Sequence, residues 1–317
     1  MVKKIALEEH VLTPGLIEYW RPTMTSVPPV KTENFFKRLT DYGSARLEDM
    51  DRAGMERCVL SVAGPGVQAE RDPATATKKA REANDDLAKE VAKQPKRYAG
   101  FAHLAMQDAK GAADELERAL RDLQFRGAMI NGHTHGQYLD HPSLDPFWER
   151  ADALSAAIYI HPGDPVEPLK VLEGYPVLAR PMWGWGVETG SHALRLVVSG
   201  HFERYPKVKL LLGHLGETLP YLLWRFDSRA KFQGLNLPKA PSEYIRRNIY
   251  VTTSGMCDGP PLRCAIDALG RDHVMFSADY PFEDMVEAGH WMDQVEIAED
   301  LRADVAKNNA AKLLGFV

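Results

Sequence analysis

A glutamate and a histidine two residues apart, Glu8 and His10, close the first apolar run of the chain in the stretch LEEH. On an extended strand, residues i and i+2 share a face, so these two side chains point the same way and Glu9 points the other. A carboxylate and an imidazole placed like this form a ready pair of ligands for a divalent metal. Other runs end on similar groups. IYIHP places His161 at its tip, LLLGHLGET places His214 with Glu217 three residues on, and FSADYPFED places Asp279. Taken singly, a strand-end histidine is commonly a hydrogen-bonded core or surface residue, Asp279 would make a good helix N-cap, and Glu8 would suit a lysine partner. Taken together, the same polarity at the same end of several runs points to one shared centre. Buried carboxylates and imidazoles need partners, and a cation supplies one. Two imidazoles and two carboxylates without a thiolate suit Zn2+ or Mn2+ and do not choose between them. His133 and His135, in NGHTHG, form a weaker pair in a predicted loop. A structural or substrate-contact role is expected for them rather than ligation.

The runs carrying these groups alternate with helical patterns. Strands are predicted at 4–7, 57–62, 98–104, 127–131, 157–161, 208–214, 249–254 and 274–279. Several are apolar nearly throughout, as parallel strands buried on both faces are. Helical spacing fills 72–94, 108–123, 147–154, 189–202, 219–231, 261–269 and 284–297, and 301–314 closes the chain. This alternation over 317 residues predicts an α/β protein, a (β/α)8 TIM barrel forming a single domain over 1–317. No GxGxxG follows the first strand, which argues against an open dinucleotide-binding sheet. Active sites of such barrels occupy the C-terminal mouth. Two proline-rich stretches, 14–29 and 162–181, read as long loops over it. Trp20, Trp183, Trp185, Tyr280 and Phe282 fall in such loops or just after strand ends. They would wall a site for a flat aromatic ligand; loop packing or a subunit interface is the other reading.

Composition narrows the class. Hydrophobic residues make up 44% and charged residues 26%, with a net charge of −5. No basic patch suggests nucleic acid or an anionic membrane as a partner. Cys58, Cys257 and Cys264 are too few and too scattered for a disulfide framework. The N-terminal MVKKIALEEH is too short in apolar residues for a signal peptide. No apolar run approaches the roughly 20 residues that cross a bilayer. A cytoplasmic enzyme is expected.

At this point the residues carry a family likeness. The pieces KIALEEH, VQA, REAND, IYIHP, MWGWGVET, HALRL, LLGHLGETLPYLLWRFDSR, VTTSG and FSADYPFE together resemble the metal-dependent amidohydrolase superfamily. Within it they are similar to the branch of nonoxidative aromatic acid decarboxylases, where the first-strand motif is ExH. The resemblance implies metal ligands at Glu8, His10, His161 and Asp279, and a catalytic His214 supported by Glu217. It also implies substrate or supporting contacts from Arg225 and Arg229, and a homodimer or homotetramer. Two pocket-lining stretches, WRPTMTSVPP and NGHTHG, depart from the pattern and leave the particular acid open. The reaction expected is the loss of carbon dioxide from a small aromatic acid, an ortho-hydroxybenzoate, with Asp279 delivering a proton to the ring. The alternative is hydrolysis of a lactone or amide, in which the same ligands activate water and Asp279 acts as base. A noncatalytic metal-binding scaffold is a third reading.

Overall fold

A computed structural model of the chain describes residues 1–316. Its strands are β1 (Lys4–Val11), β2 (Met55–Val62), β3 (Tyr98–Gly100), β4 (Ala102–His103), β5 (Ala128–Asn131), β6 (Ala157–His161), β7 (Lys209–Leu212), β8 (Ile249–Thr252) and β9 (Val274–Met275). Every neighbouring pair is parallel, in the orders β1-β2-β3 and β4-β5-β6-β7-β8-β9. The third barrel strand is β3 and β4 together, changing partners at Phe101. The Phe101 amide bonds Leu60 O of β2 at 2.9 Å, and the next amide, Ala102, bonds Gly127 O just before β5 at 2.9 Å. The ring closes beyond β9, where His10 N donates to Tyr280 O at 2.7 Å and Asp279 N to Glu8 O at 3.1 Å. The result is the expected eight-stranded (β/α)8 barrel.

Two layers of core hold it. Ile5, Leu7, Val59, Phe101, Met129, Tyr159, Leu211 and Met275 fill the barrel, with Ala310 and Leu314 of the final helix in the same cluster. Ala6, Cys58, Leu60, Ile130, Ile158, Ile160, Leu210 and Leu212 face outward and pack under the helices. Strand residues thus alternate between two buried faces, which explains why the runs read as apolar throughout. Among the described residues, no helix is long and apolar enough to cross a membrane.

Several elements differ from expectation. The stretch 14–29 contains helical turns at Pro14–Leu16, Ile17–Trp20 and Arg21–Met24, and helices Pro29–Leu39 and Ser44–Ala53 follow. Prolines at first-turn positions start three of these elements, and Leu16, Trp20, Leu39, Met50 and Ala53 are buried beneath them. A further helix, Pro241–Asn248, precedes β8. The closing helix is broken by a π-turn at Asp304–Asn308. The last three strands stop short, so His214, Ser254 and Asp279 lie on the turns beyond them.

The first strand has an irregularity that decides which residues face the mouth. Ala6 lies opposite Cys58 and Glu9 opposite Leu60, so β1 takes three steps where β2 takes two. This is a β-bulge. Ile5 and Leu7 point into the barrel. Without the extra residue, strict alternation would send Glu9 inward and Glu8 outward. With it, Glu8 and His10 face the interior. Ser277 fills the bulge, its hydroxyl oxygen accepting from Leu7 N at 3.1 Å and Glu8 N at 2.5 Å. Replacing Ser277 with Ala leaves both buried amides unpaired, at about 1–3 kcal/mol each before relaxation. Urea unfolding of metal-free Ser277→Ala is therefore expected to show a clearly lower midpoint than wild type; an unchanged midpoint would show that the bulge does not need its plug.

Candidate active site

The barrel mouth gathers residues from distant parts of the chain. One ligand atom each from Glu8, His10, His161 and Asp279 lies within 4.8 Å of the others. His10 Nε2 is 3.2 Å from Asp279 Oδ1 and 3.9 Å from Glu8 Oε1, and His161 Nε2 is 3.6 Å from Glu8 Oε1. Ligands about 2.0–2.2 Å from one ion stand roughly 3–4 Å apart, so the spacing fits a single divalent cation. The bonding pattern fits as well. Glu8 Oε1, His10 Nε2 and Asp279 Oδ1 are buried with no hydrogen-bond partner. Buried polar atoms are rarely left so, and a cation satisfies all of them at once.

The remaining atoms of these residues are held in place. Tyr159, two residues before His161 and on the same inward face, donates its hydroxyl to Glu8 Oε2, and the Ser254 hydroxyl donates to the same oxygen. Tyr159 also bonds Thr252 Oγ1 at 2.8 Å. One oxygen of Glu8 is therefore occupied and the other is left without a protein partner. Gly213 lets β7 approach this nest, since a Cβ there would stand 2.6 Å from Glu8 Oε2 and 2.8 Å from Ser254 Oγ. On the second cluster residue of β1, Ser61 Oγ lies 3.4 Å from His10 Nδ1.

Beside the cluster stands His214. It opens a turn in which His214, Leu215, Gly216, Glu217 and Thr218 have φ values of 50°, 53°, 81°, 52° and 67°. A left-handed conformation costs an L-residue roughly 1–2 kcal/mol, and such strain concentrates at functional sites. The turn brings Glu217 Oε1 to 2.7 Å from His214 Nδ1, and Nε2 faces Asp279 Oδ2 at 3.7 Å. Burial alone would lower the His214 pKa, but the carboxylates of Glu217, Asp279 and Glu8 outweigh it and hold the imidazole protonated well above its usual range. Burial would likewise raise Asp279, yet the flanking His10 and His214 imidazoles keep its carboxyl below the ordinary range. Burial, reinforced by His10, drives His161 down to about 3, the neutral form that metal ligation would require. Glu8 is pushed up by burial and by the charge of Asp279.

Of the other residues singled out in the sequence, the structure brings some to the cluster and not others. Phe282 stands at the cluster, its ring centroid 5.5 Å from that of His10. Trp185 is half-buried at the rim and donates its indole N–H to Asp164 at 2.7 Å. Trp183 is 53% exposed. Trp20 and Tyr280 are not open pocket walls, since each is 1% exposed. Trp20 packs with Leu12, Leu39 and Ala63 under the first connection. Tyr280 lies in the outer core beneath the Arg46 guanidinium, 4.4 Å from its ring. Arg225 and Arg229 are exposed on helix Leu223–Phe232, and among the described residues neither is bonded to the cluster or to His214. His133 Nε2 lies 3.1 Å from Asp164 O and His135 Nε2 2.8 Å from Glu70 O, so both tie loops together. The supporting residues Tyr159, Thr252, Ser254, Ser61 and Ser277 escaped the sequence reading. Tyr159 alone carried a signal, the period-two spacing to His161.

Comparison with known proteins places this geometry in context. The family model described as Amidohydrolase matches residues 36–316. A gamma-resorcylate decarboxylase of Polaromonas sp. strain JS666 is 40% identical over 322 residues, covering 98% of each chain. A crystal structure of 2,6-dihydroxybenzoate decarboxylase complexed with 2,6-dihydroxybenzoate is similar with a TM-score of 0.92 and 37% identity, over 99% of this chain and 100% of that one. A dihydroxybenzoic acid decarboxylase of Polaromonas sp. JS666, solved with bound manganese and the inhibitor 2-nitroresorcinol, is similar with a TM-score of 0.92 and 39% identity, over 100% and 98% of the two chains.

The anchoring of Glu8 carries its own test. Tyr159→Phe keeps the ring and removes one donor from Glu8 Oε2. Loss of such supporting bonds typically weakens metal affinity by about 10- to 100-fold, and that weakening is expected in a calorimetric titration of the metal-free variant with Mn2+. Wild-type affinity in Tyr159→Phe would mean that the hydroxyl does not position the ligand.

Proposed function

The chain belongs to the amidohydrolase family, and we propose that it is a metal-dependent carboxy-lyase that converts an ortho-hydroxybenzoate to a phenol and carbon dioxide without oxidation. The observation that carries this reading is the shared Asp279 carboxylate. Its Oδ1 faces His10 within the ligand cluster, and its Oδ2 faces the His214–Glu217 pair. Glu8, His10, His161 and Asp279 are the residues proposed to hold one divalent ion, Mn2+ or Zn2+. Manganese is the metal in the solved relative from Polaromonas. When bound, the ion supplies Lewis-acid polarisation of the substrate's carboxylate and ortho oxygen.

The residues of the chain handle the proton. On binding, the phenolic proton passes to the Asp279 carboxylate. Asp279 then returns it to the ring carbon that bears the carboxylate. The carbon–carbon bond breaks, its electron pair restores the aromatic ring, and carbon dioxide leaves. The product departs as a phenolate and takes a proton from solvent. Glu217 fixes the His214 ring through Nδ1, so that the Nε2–H points toward Asp279 and the developing charge. Phe282 and Trp185 are proposed to contact the aromatic ring. Asp279 and His214 sit too close to Glu8 and His10 for any of these groups to act independently.

The family match over 36–316 supports a single domain. Three free cysteines fit a cytoplasmic location. A homodimer or homotetramer is supported by aromatic side chains left open on one chain: Tyr221 is 80% exposed, Trp224 76% and Phe232 74%. An interface there would also cover the helix that carries Arg225 and Arg229.

Two measurements test the reaction. Purified protein, with its metal identified by elemental analysis, is expected to release carbon dioxide and the matching phenol from at least one member of an ortho-hydroxybenzoate panel. Chelation should stop the reaction and Mn2+ or Zn2+ restore it. A metal-loaded enzyme that releases no carbon dioxide but hydrolyses lactones or amides would replace this reading. Asp279→Asn is expected to lower kcat by about 10²–10⁴-fold while retaining part of the metal, and near-normal turnover would remove Asp279 from the proton's path.

A further inference from the structure

Arg46 lies on helix Ser44–Ala53, in the connection between β1 and β2, and is fully buried at 0% exposure. Among the described residues, every hydrogen bond of its guanidinium goes to a backbone carbonyl and none to a carboxylate. Nε donates to Asp41 O at 2.9 Å, and Nη2 donates to His10 O at 2.7 Å and to Arg38 O at 3.2 Å. Nη1 is buried without a partner. Burying a charge on these terms opposes folding. An apolar side chain of similar volume would fill the space without that cost, so the charge calls for a use.

What the guanidinium holds is the main chain behind the cluster. Its bond to His10 O is the shortest of the three, and His10 N donates to Tyr280 O at 2.7 Å, so both main-chain groups of His10 are tied. The guanidinium carbon also stands 4.4 Å from the centre of the Tyr280 ring, and Tyr280 directly follows Asp279. On the other side of Asp279, Ala278 N donates to Glu9 Oε1 at 2.9 Å. Asp279 is thus bracketed, with Ala278 held by Glu9 and Tyr280 by Arg46. The His10 imidazole has little else to steer it. A ligating histidine is normally oriented through its second ring nitrogen, but Ser61 Oγ at 3.4 Å from His10 Nδ1 is long for a hydrogen bond. The place of His10 Nε2, 3.2 Å from Asp279 Oδ1, therefore depends on the backbone that Arg46 grips.

We propose that Arg46 is a positioning residue for the metal cluster. It touches neither ion nor substrate, and it sets His10 against Asp279 by clamping the His10 carbonyl and the Tyr280 ring from the outer side of the barrel. This rests on the reading of Glu8, His10, His161 and Asp279 as ligands of one divalent ion. It gives the helical connection between β1 and β2 a part in the site, through a residue 36 positions from His10. A planar fork with several donors suits the task, since one side chain must reach three carbonyls and lie on a ring at the same time.

The test is a calorimetric titration of the metal-free full chain with Mn2+, run well below the thermal midpoint of each variant. Arg46→Met keeps the stem and removes the fork, and its Mn2+ affinity is expected to fall by about 10- to 100-fold. Arg46→Lys keeps the charge and one reachable carbonyl, and it should recover part of that loss. Tyr280→Leu leaves the carbonyl bonds and removes the ring, and it should weaken Mn2+ binding less than Arg46→Met does. Where Arg46→Met fails to fold, Arg46→Lys and Tyr280→Leu decide, both being expected to bind Mn2+ more weakly than wild type. A lowered midpoint with wild-type Mn2+ affinity in the folded variants would show that Arg46 serves the core alone and would overturn the assignment. A wild type that binds no Mn2+ would remove the ligand reading itself, and the role of Arg46 with it, so the two failures are told apart by the wild-type titration.

Discussion

One extra residue in the first strand sets the phase of the whole site. The bulge between Ala6 and Glu9 turns Glu8 and His10 into the barrel above Leu7. A bulge leaves amides without ladder partners, and Ser277, from the far end of the chain, takes them both. The same serine lies two residues before Asp279 and 3.3 Å from Glu9 Oε1, while Ala278 N bonds that oxygen at 2.9 Å. The join between the first and last barrel strands is therefore made by the segment that carries Asp279. In this fold the residues that close the barrel also place Asp279 beside Glu8 and His10.

That coupling has an energetic side. Two carboxylates and three imidazoles meet in a buried space, and burying them opposes folding unless they are paired. Pairing is partly internal: Tyr159 and Ser254 hold Glu8, Glu217 holds His214, and Asp279 lies between His10 and His214. The left-handed turn from His214 to Thr218 adds backbone strain at the same place. Buried layers on both faces of the strands offset these costs. The scaffold's stability is what allows polar, strained residues to be held where they are.

Much of this was legible in the sequence because barrel strands carry strong local signals. Continuous apolar runs such as IYIH and KLLL read as strands buried on both faces, and polar residues closing them read as a mouth. Glu8, His10, His161, His214 and Asp279 were all visible for that reason, as was Glu217 three residues after His214. Legibility failed where local rules compete with tertiary contacts. Prolines at 14, 22 and 29 suggest a loop, yet each lies in the first turn of a helical element, and Leu16, Trp20 and Leu39 are buried along this stretch. Tyr280, an aromatic residue after a strand end, looked like a pocket wall, but the chain turns it under Arg46.

The fold class and the set of groups able to bind a divalent ion are readable from residue order alone, because hydrophobic periodicity and residue type are local properties. Alternation gave the correct direction for Glu8 and His10 relative to each other. It did not say that both face inward, since that depends on a one-residue bulge whose filler is some 270 positions away. Which oxygen of Glu8 is free, and that Tyr159 and Ser254 occupy the other, follows from contacts made in the folded barrel. Those are facts of distance between remote segments, and they exist only once the barrel has closed.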